Sequence, residues 1–192
     1  MIKKEVKRRV PPGELTETET QQTGEGRRDK AGLFDTEINA MMKDFKEDGW
    51  TQCIASDEIP KLLKHVKKGK PLAFIINTDP SNKPGEHWQA VYIDPKRDRS
   101  VEFYDSYGDS PSLELMKGIK LIIGKMKPET YLKFKVNKIK EQSANTANCG
   151  WFCMKFLIDR FNGIPFKECT GFSQVAKGER DIKKFKKKFG YI

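Results

Sequence analysis

The sequence predicts an α+β domain in which a central mixed sheet of about five strands packs on a buried helix beginning at Cys149. Three observations predict it. Pro71 to Asn77 is a short continuous apolar run between breakers, the pattern of a strand covered on both faces. His87 to Ile93 and Val101 to Tyr104 follow it, joined by a turn at Asp94-Pro95 to Arg99, so that the three strands read as a meander. Finally, the stretch after Cys149 carries Phe152, Phe156, Leu157, Ile158 and Phe161. It reads as an almost wholly apolar helix that stops at Asn162-Gly163.

The remaining elements fall around this frame. Residues 1–30 are rich in Glu, Thr, Gln, Gly and Arg and have almost no large apolar side chains, so they read as a disordered tail before a domain spanning residues 31–192. Structure is expected to begin at Ala31. Leu33, Ile38, Met41, Met42 and Phe45 recur at helical spacing, with Asp35 or Thr36 as cap. Trp50 and Ile54 read as a linker, and Ile59, Leu62, Leu63 and Val66 as one face of a second helix. Leu113, Met116, Ile119 and Ile123 predict a helix between Ser112 and Met126, weakened by Gly118. Tyr131 to Val136 alternates Tyr131, Lys133 and Lys135 against Leu132, Phe134 and Val136, a half-buried edge strand. Lys167 to Val175 and Arg180 to Phe189 read as two short terminal segments.

Composition bounds the function. At 192 residues, 36% hydrophobic and 33% charged, the chain can bury a sizeable core. No apolar run approaches the ~18 residues that a membrane helix needs. Met1 to Val10 is basic without the apolar centre of a signal peptide, so the expectation is a protein that is not secreted. Cys53, Cys149, Cys153 and Cys169 then read as free thiols. The net charge of +10 is uneven: Lys177 to Ile192 holds seven basic and two acidic residues. Such a surface favours a polyanion, most simply nucleic acid; the plain alternative is solvated faces that keep the protein in solution. Lys183, Lys184, Lys186, Lys187 and Lys188 flank Phe185 and Phe189, so the phenylalanines could anchor the segment while the lysines meet DNA without reading its sequence.

The chemistry gathers at Gln142 to Phe152. A cysteine at a helix start meets the positive end of the helix dipole, which favours a thiolate. Cys149 is therefore a candidate nucleophile, and Gln142, seven residues upstream, a candidate oxyanion donor. The plain alternative is a structural cysteine opening a core helix. His87 begins a strand after a Pro-Gly loop. Asp105 ends the hairpin partner, so antiparallel pairing of His87–Ile93 with Ser100–Asp105 sets the imidazole opposite the carboxylate. Asp105 could then fix the histidine tautomer, and His87 could hold Cys149 as thiolate and later protonate a leaving amine. Alternatively, His87 is an ordinary strand-end histidine and Asp105 a turn former. A zinc site is the other chemical option, since Cys149 and Cys153 share a helix face. It would need Cys53, Cys169 or His65 to converge on them.

Gly85-Glu-His-Trp88, then Tyr104-Asp-Ser-Tyr-Gly108, then Gln142 with Cys149-Gly-Trp-Phe-Cys153 resemble the adenovirus-protease (adenain) family, with related motifs in SUMO-specific proteases. The likeness covers roughly Leu72 to Phe161, and Gly32 to Pro60, with Leu33-Phe-Asp-Thr-Glu, is similar to proteases of Maverick/Polinton elements, adintoviruses and virophages. This implies a papain-like arrangement and a cysteine endopeptidase that matures virion precursors at small residues such as Gly or Ala. By motif, His87 is the base, Asp105 its orienter, Gln142 the oxyanion donor and Cys149 the nucleophile, with Trp88 and Gly150 supporting the site or the substrate. No cofactor is required and the positive charge allows DNA as an activator. The expected enzyme is a monomer without membrane contact, in the virion and the host nucleus or a cytoplasmic viral factory. Two departures matter. The adenovirus enzyme has Glu where this chain has Asp105, as the SUMO-protease branch does. Tyr131 to Glu141 also lacks a cysteine that could tether an activating peptide. The rival readings are a protease removing a SUMO- or ubiquitin-like modifier, and a basic nucleic-acid-binding virion protein without turnover.

Overall fold

A computed structural model describes residues 32–171 and 174–191. The expected tail, and the expected start at Ala31, lie outside the described residues. Five strands form one mixed sheet in sequence order: β1 (Trp50–Ile54), β2 (Leu72–Asn77), β3 (Trp88–Asp94), β4 (Ser100–Tyr104) and β5 (Lys133–Val136). β2, β3 and β4 are the antiparallel meander, while β1 and β5 join its two edges in parallel. The helices are α1 (Asp35–Met42), α2 (Leu113–Met126), α3 (Cys149–Phe161), the single turn α4 (Phe166–Cys169) and α5 (Val175–Lys188). Two 3-10 segments, Lys43–Asp48 and Ile59–His65, flank β1.

The central strands are buried throughout because both faces are covered. Ala73, Ile75, Trp88, Ala90 and Tyr92 point to the layer of α1, α3 and α5. Phe74, Ile76, Val91, Ile93 and Phe103 alternate with them and meet Leu115, Ile119, Ile122 and Met126 of α2. α3 therefore lies in the core itself, and its polar side is reduced to the Lys155–Asp159 ion pair. α2 is capped by Ser112, whose hydroxyl accepts from the Leu115 N–H at 3.1 Å. Its Gly118 has a packing reason: a Cβ there would lie 2.5 Å from Ile59 Cδ1.

Several expectations are corrected. Trp50 to Ile54 is a strand rather than a linker, because pairing with β2 supplies what the polar Thr51 and Gln52 hide from the local pattern. The cap of α1 is Phe34, one residue earlier than expected, with Glu37 accepting from its N–H at 2.9 Å. On β5 the expected apolar face holds in part: Leu132 and Val136 pack on the core, but Phe134 is 42% exposed and Lys135 reaches inward to Glu102 at 2.9 Å. The chain end forms one long amphipathic helix, α5, rather than a short segment.

Candidate active site

The site lies where β3 begins and β4 ends, beneath the first turn of α3. The loop before β3 is clasped by Asn77, whose side-chain oxygen accepts from the N–H groups of Asp79 and Glu86 at 2.9 and 3.0 Å. His87 follows, and its Nε2 lies 3.0 Å from Asp105 Oδ2. The pairing that joins them is shifted from the expected one. Ala90 pairs with Tyr104, so continuing the register sets Gln89, not His87, opposite Asp105. Gln89 accordingly donates from Nε2 to the same carboxylate oxygen at 2.8 Å.

Asp105 is fully buried and held on all sides. Its other oxygen accepts from the Tyr107 N–H at 2.6 Å, its own N–H donates to Asn137 Oδ1 at 2.8 Å, and its carbonyl accepts from Asn137 Nδ2 at 2.6 Å. Its carbonyl also closes a turn with Gly108, so turn former and acceptor are both its tasks. Gly108 is required there: its φ is +78°, and a Cβ would lie 2.9 Å from the Lys138 carbonyl carbon.

The electrostatics follow. Burial opposes a charged imidazole, but hydrogen bonding and charge from Asp105 and from Cys149 outweigh it and raise the His87 pKa to about 10. Burial likewise opposes the Asp105 carboxylate, yet His87, Gln89 and the Tyr107 N–H lower its pKa below the usual carboxylate value. Because Asp105 takes Nε2, the other ring nitrogen is left for the sulfur. Nδ1 is buried and makes no hydrogen bond at ordinary geometry, while the Cys149 thiol acts on the ring. Tyr107 stacks on the imidazole, with centroids 4.9 Å apart.

Cys149 is the first residue of α3 and is fully buried. The other three cysteines are chemically quiet. Burial, then Asp35, pushes the Cys53 pKa well up. Burial, then Cys149, does the same to Cys153, and burial, then Asp159, lifts Cys169 to about 12. All four thiols are free, and among the described residues no group of three or more His, Cys, Asp or Glu could hold a metal. The zinc alternative therefore has no ligand set there.

Gln142 is fully buried beside this pair. Its Oε1 accepts from Ser106 Oγ at 2.6 Å, which fixes the amide so that Nε2 donates to the Thr146 carbonyl at 2.6 Å and to Tyr107 Oη at 3.1 Å. Trp88 is a support rather than a substrate contact: it has 0% exposure, and its indole N–H donates to the Leu33 carbonyl at 3.0 Å. Gly150 allows that packing, since a Cβ there would lie 3.2–3.3 Å from Ile38, Leu33 and Trp88.

Two corrections concern the lysines and the overlooked residues. Lys183, Lys184, Lys187 and Lys188 are exposed, but Lys186 is not part of the outward set. It hydrogen-bonds Asn148 Oδ1 and lies 5.5 Å from the centre of the Trp151 ring. Gln89 and Asn137 carry no local signal in the sequence, whereas Ser106 and Tyr107 lie inside the Tyr104-Asp-Ser-Tyr-Gly108 motif.

Residues 33–190 match the model described as the Ulp1 protease family, C-terminal catalytic domain. The chain belongs to this family. Its fold is the papain-like arrangement expected from the sequence. A cysteine protease of African swine fever virus is 28% identical over 116 residues, covering 58% of this chain and 41% of the relative. Its counterpart from another isolate, named SUMO-1 cysteine protease, is 27% identical over the same length. The match thus spans less than half the length of these relatives. Among solved structures, the African swine fever virus protease superposes with a TM-score of 0.63 at 16% identity, covering 90% of this chain and 72% of the other. The SUMO protease Ulp1 superposes at 0.51 and 18% identity, covering 81% and 76%. At those identities the likeness is one of fold.

Proposed function

We propose that this peptidase cuts after the C-terminal tail of a SUMO- or ubiquitin-like modifier, with Cys149 as nucleophile, His87 as acid and base, Asp105 as orienter and Gln142 as oxyanion donor. The observation that carries the site assignment is the split of the imidazole: Asp105 occupies Nε2 at 3.0 Å, buried Nδ1 makes no hydrogen bond, and Cys149 acts on the ring. In that geometry the His87 imidazolium keeps the sulfur anionic. The thiolate adds to the scissile carbonyl, His87 protonates the departing amine, and water hydrolyses the thioester after giving a proton back to His87. Gln142 Nε2 meets the oxyanion as its bond to Tyr107 yields.

The modifier reading rests on membership of the Ulp1 family and on the name SUMO-1 cysteine protease carried by a viral relative. A second reading, maturation of virion precursors at small residues, as the adenain-like and Maverick-like motifs imply, is favoured because the sequence relatives are encoded by viruses. On that reading duplex DNA on Lys183, Lys184, Lys187 and Lys188 would bring enzyme and substrate together.

The test uses SUMO and ubiquitin carrying C-terminal reporter fusions beside precursor-derived peptides with Gly or Ala at the cut, each with and without duplex DNA across a salt series. Cleavage of the SUMO fusion far above the peptides supports the first reading. Peptide cleavage raised by DNA at low salt supports the second. No cleavage of either, together with iodoacetamide labelling of Cys149 no faster than of Cys53, Cys153 and Cys169, defeats both.

A further inference from the structure

α5 does more than carry the basic surface. The segment between Gln142 and Cys149 holds the candidate oxyanion donor at one end and the candidate nucleophile at the other. A single carboxylate of α5 grips it at three points. Glu179 Oε1 accepts from the Ser143 N–H at 2.8 Å and from the Thr146 hydroxyl at 2.7 Å, and Glu179 Oε2 accepts from Asn148 Nδ2 at 2.7 Å. One helix face serves this end of the chain. Lys186, two turns further along, donates to Asn148 Oδ1, so the amide preceding Cys149 is held at both its ends. Gly178 brings the helix close enough to do this: a Cβ there would lie 2.3 Å from the Glu141 carbonyl oxygen.

The grip reaches the site through one residue. Thr146 gives its hydroxyl to Glu179, and its carbonyl accepts from Gln142 Nε2 at 2.6 Å. Short-range bonds among Ser143, Asn145 and Thr146 shape the loop between these grips.

We propose that Glu179 is a positioning residue for catalysis, setting the Gln142 amide through Thr146. This rests on the reading of Gln142 as oxyanion donor and Cys149 as nucleophile. Loss of such positioning acts on the transition state, where the donor distance matters, more than on substrate binding.

The experiment compares wild-type protein with Glu179→Ala, Glu179→Gln, Thr146→Val and Arg180→Gln, the last being an exposed neighbour on α5. Four readouts are taken: kcat and KM on the best substrate, the rate of Cys149 alkylation by iodoacetamide, melting temperature, and amide hydrogen exchange at residues 143–148. Glu179→Ala should lower kcat by about 10- to 100-fold, the scale of a small misplacement, with KM little changed. Alkylation should stay near wild type, because it needs the thiolate but no oxyanion donor. Glu179→Gln keeps the acceptor for Ser143 and Thr146 and should fall between the two. Thr146→Val removes the hydroxyl bonds to Glu179 and Ser143 while keeping Glu179, and should also lower kcat, which keeps the test decisive if Glu179→Ala folds poorly. Arg180→Gln should match wild type. Unchanged or raised kcat in both Glu179→Ala and Thr146→Val overturns the proposal, as does a fall in alkylation in step with kcat. Amide exchange separates it from the functional reading: faster exchange at Ser143 in Glu179→Ala, with no turnover in wild type, would sink the catalytic role while leaving the clamp.

Discussion

Two fully buried carboxylates stand three residues apart around the end of β4, and they have opposite meanings. Glu102 accepts from Arg160 Nε at 2.6 Å, from Arg160 Nη2 at 3.2 Å, from Lys135 at 2.9 Å and from the Ser100 hydroxyl at 2.9 Å. Arg160 in turn bonds Asp98 and the Ile164 carbonyl, and its guanidinium lies 5.1 Å from the centre of the Tyr92 ring. Burial alone would lower the Arg160 pKa, but Glu102 and Asp98 raise it, so this cation stays charged and its donors are occupied. Asp105 is just as crowded with donors. Its principal partner differs: an imidazole titrates, and His87 still has Nδ1 to offer beside a thiol. A buried charge cluster therefore does not by itself mark a site. What separates the two is the partner: a paired guanidinium at Glu102, and at Asp105 an imidazole whose second nitrogen makes no hydrogen bond.

That comparison can be broken from either side. The largest effect is expected from Cys149→Ala or His87→Ala, each of which should abolish hydrolysis while circular dichroism and melting stay near wild type. Turnover retained in Cys149→Ala would end the assignment. Asp105→Asn should follow, lowering kcat by about 10²–10⁴, since the acceptor that orients the ring becomes neutral. Asn137 holds the Asp105 backbone in both cases, so folding should survive, which urea unfolding checks.

The Glu102 cluster should answer the other way. Arg160→Met strands Glu102 in the core with only half-buried Lys135 beside it, and should cost about 3–5 kcal/mol in urea unfolding with kcat of the folded protein unchanged. Adding Glu102→Leu should recover much of that loss, because a pair replaced by apolar groups leaves no unpaired charge. A large drop in kcat instead would make this cluster part of the site.

The smallest effect is in the pH dependence of stability. The His87 pKa is raised on folding from an ordinary 6.5 to about 10, so its contribution is complete below 6.5 and fades as pH climbs through 10. The Asp105 pKa is lowered, so its contribution is complete above its ordinary value of 3.8 and fades as pH falls through the lower folded value. Wild type should therefore exceed a His87→Gln, Asp105→Asn double variant most between about pH 4 and 6.5, with the gap closing above and below. A gap independent of pH would show that packing, not the charged pair, separates the two proteins.

Much of this was legible in the chain. The order of His87, Asp105, Gln142 and Cys149, the three central strands, and the α3 boundaries all rest on local signals: period, breakers and the Asn162-Gly163 stop. Those signals act between near neighbours, so sequence alone determined them. β1 escaped because two of its residues are polar, and only the parallel partner β2 makes it a strand. The same holds for the groups that finish the site. Gln89 reaches Asp105 across 16 positions, Gln142 reaches Tyr107 across 35, and Glu179 reaches Asn148 across 31. Hydrogen bonds of that range leave no periodic trace. They exist because the meander register and the docking of α5 bring distant side chains within about 3 Å, the span over which such bonds form, and tertiary structure alone decides that.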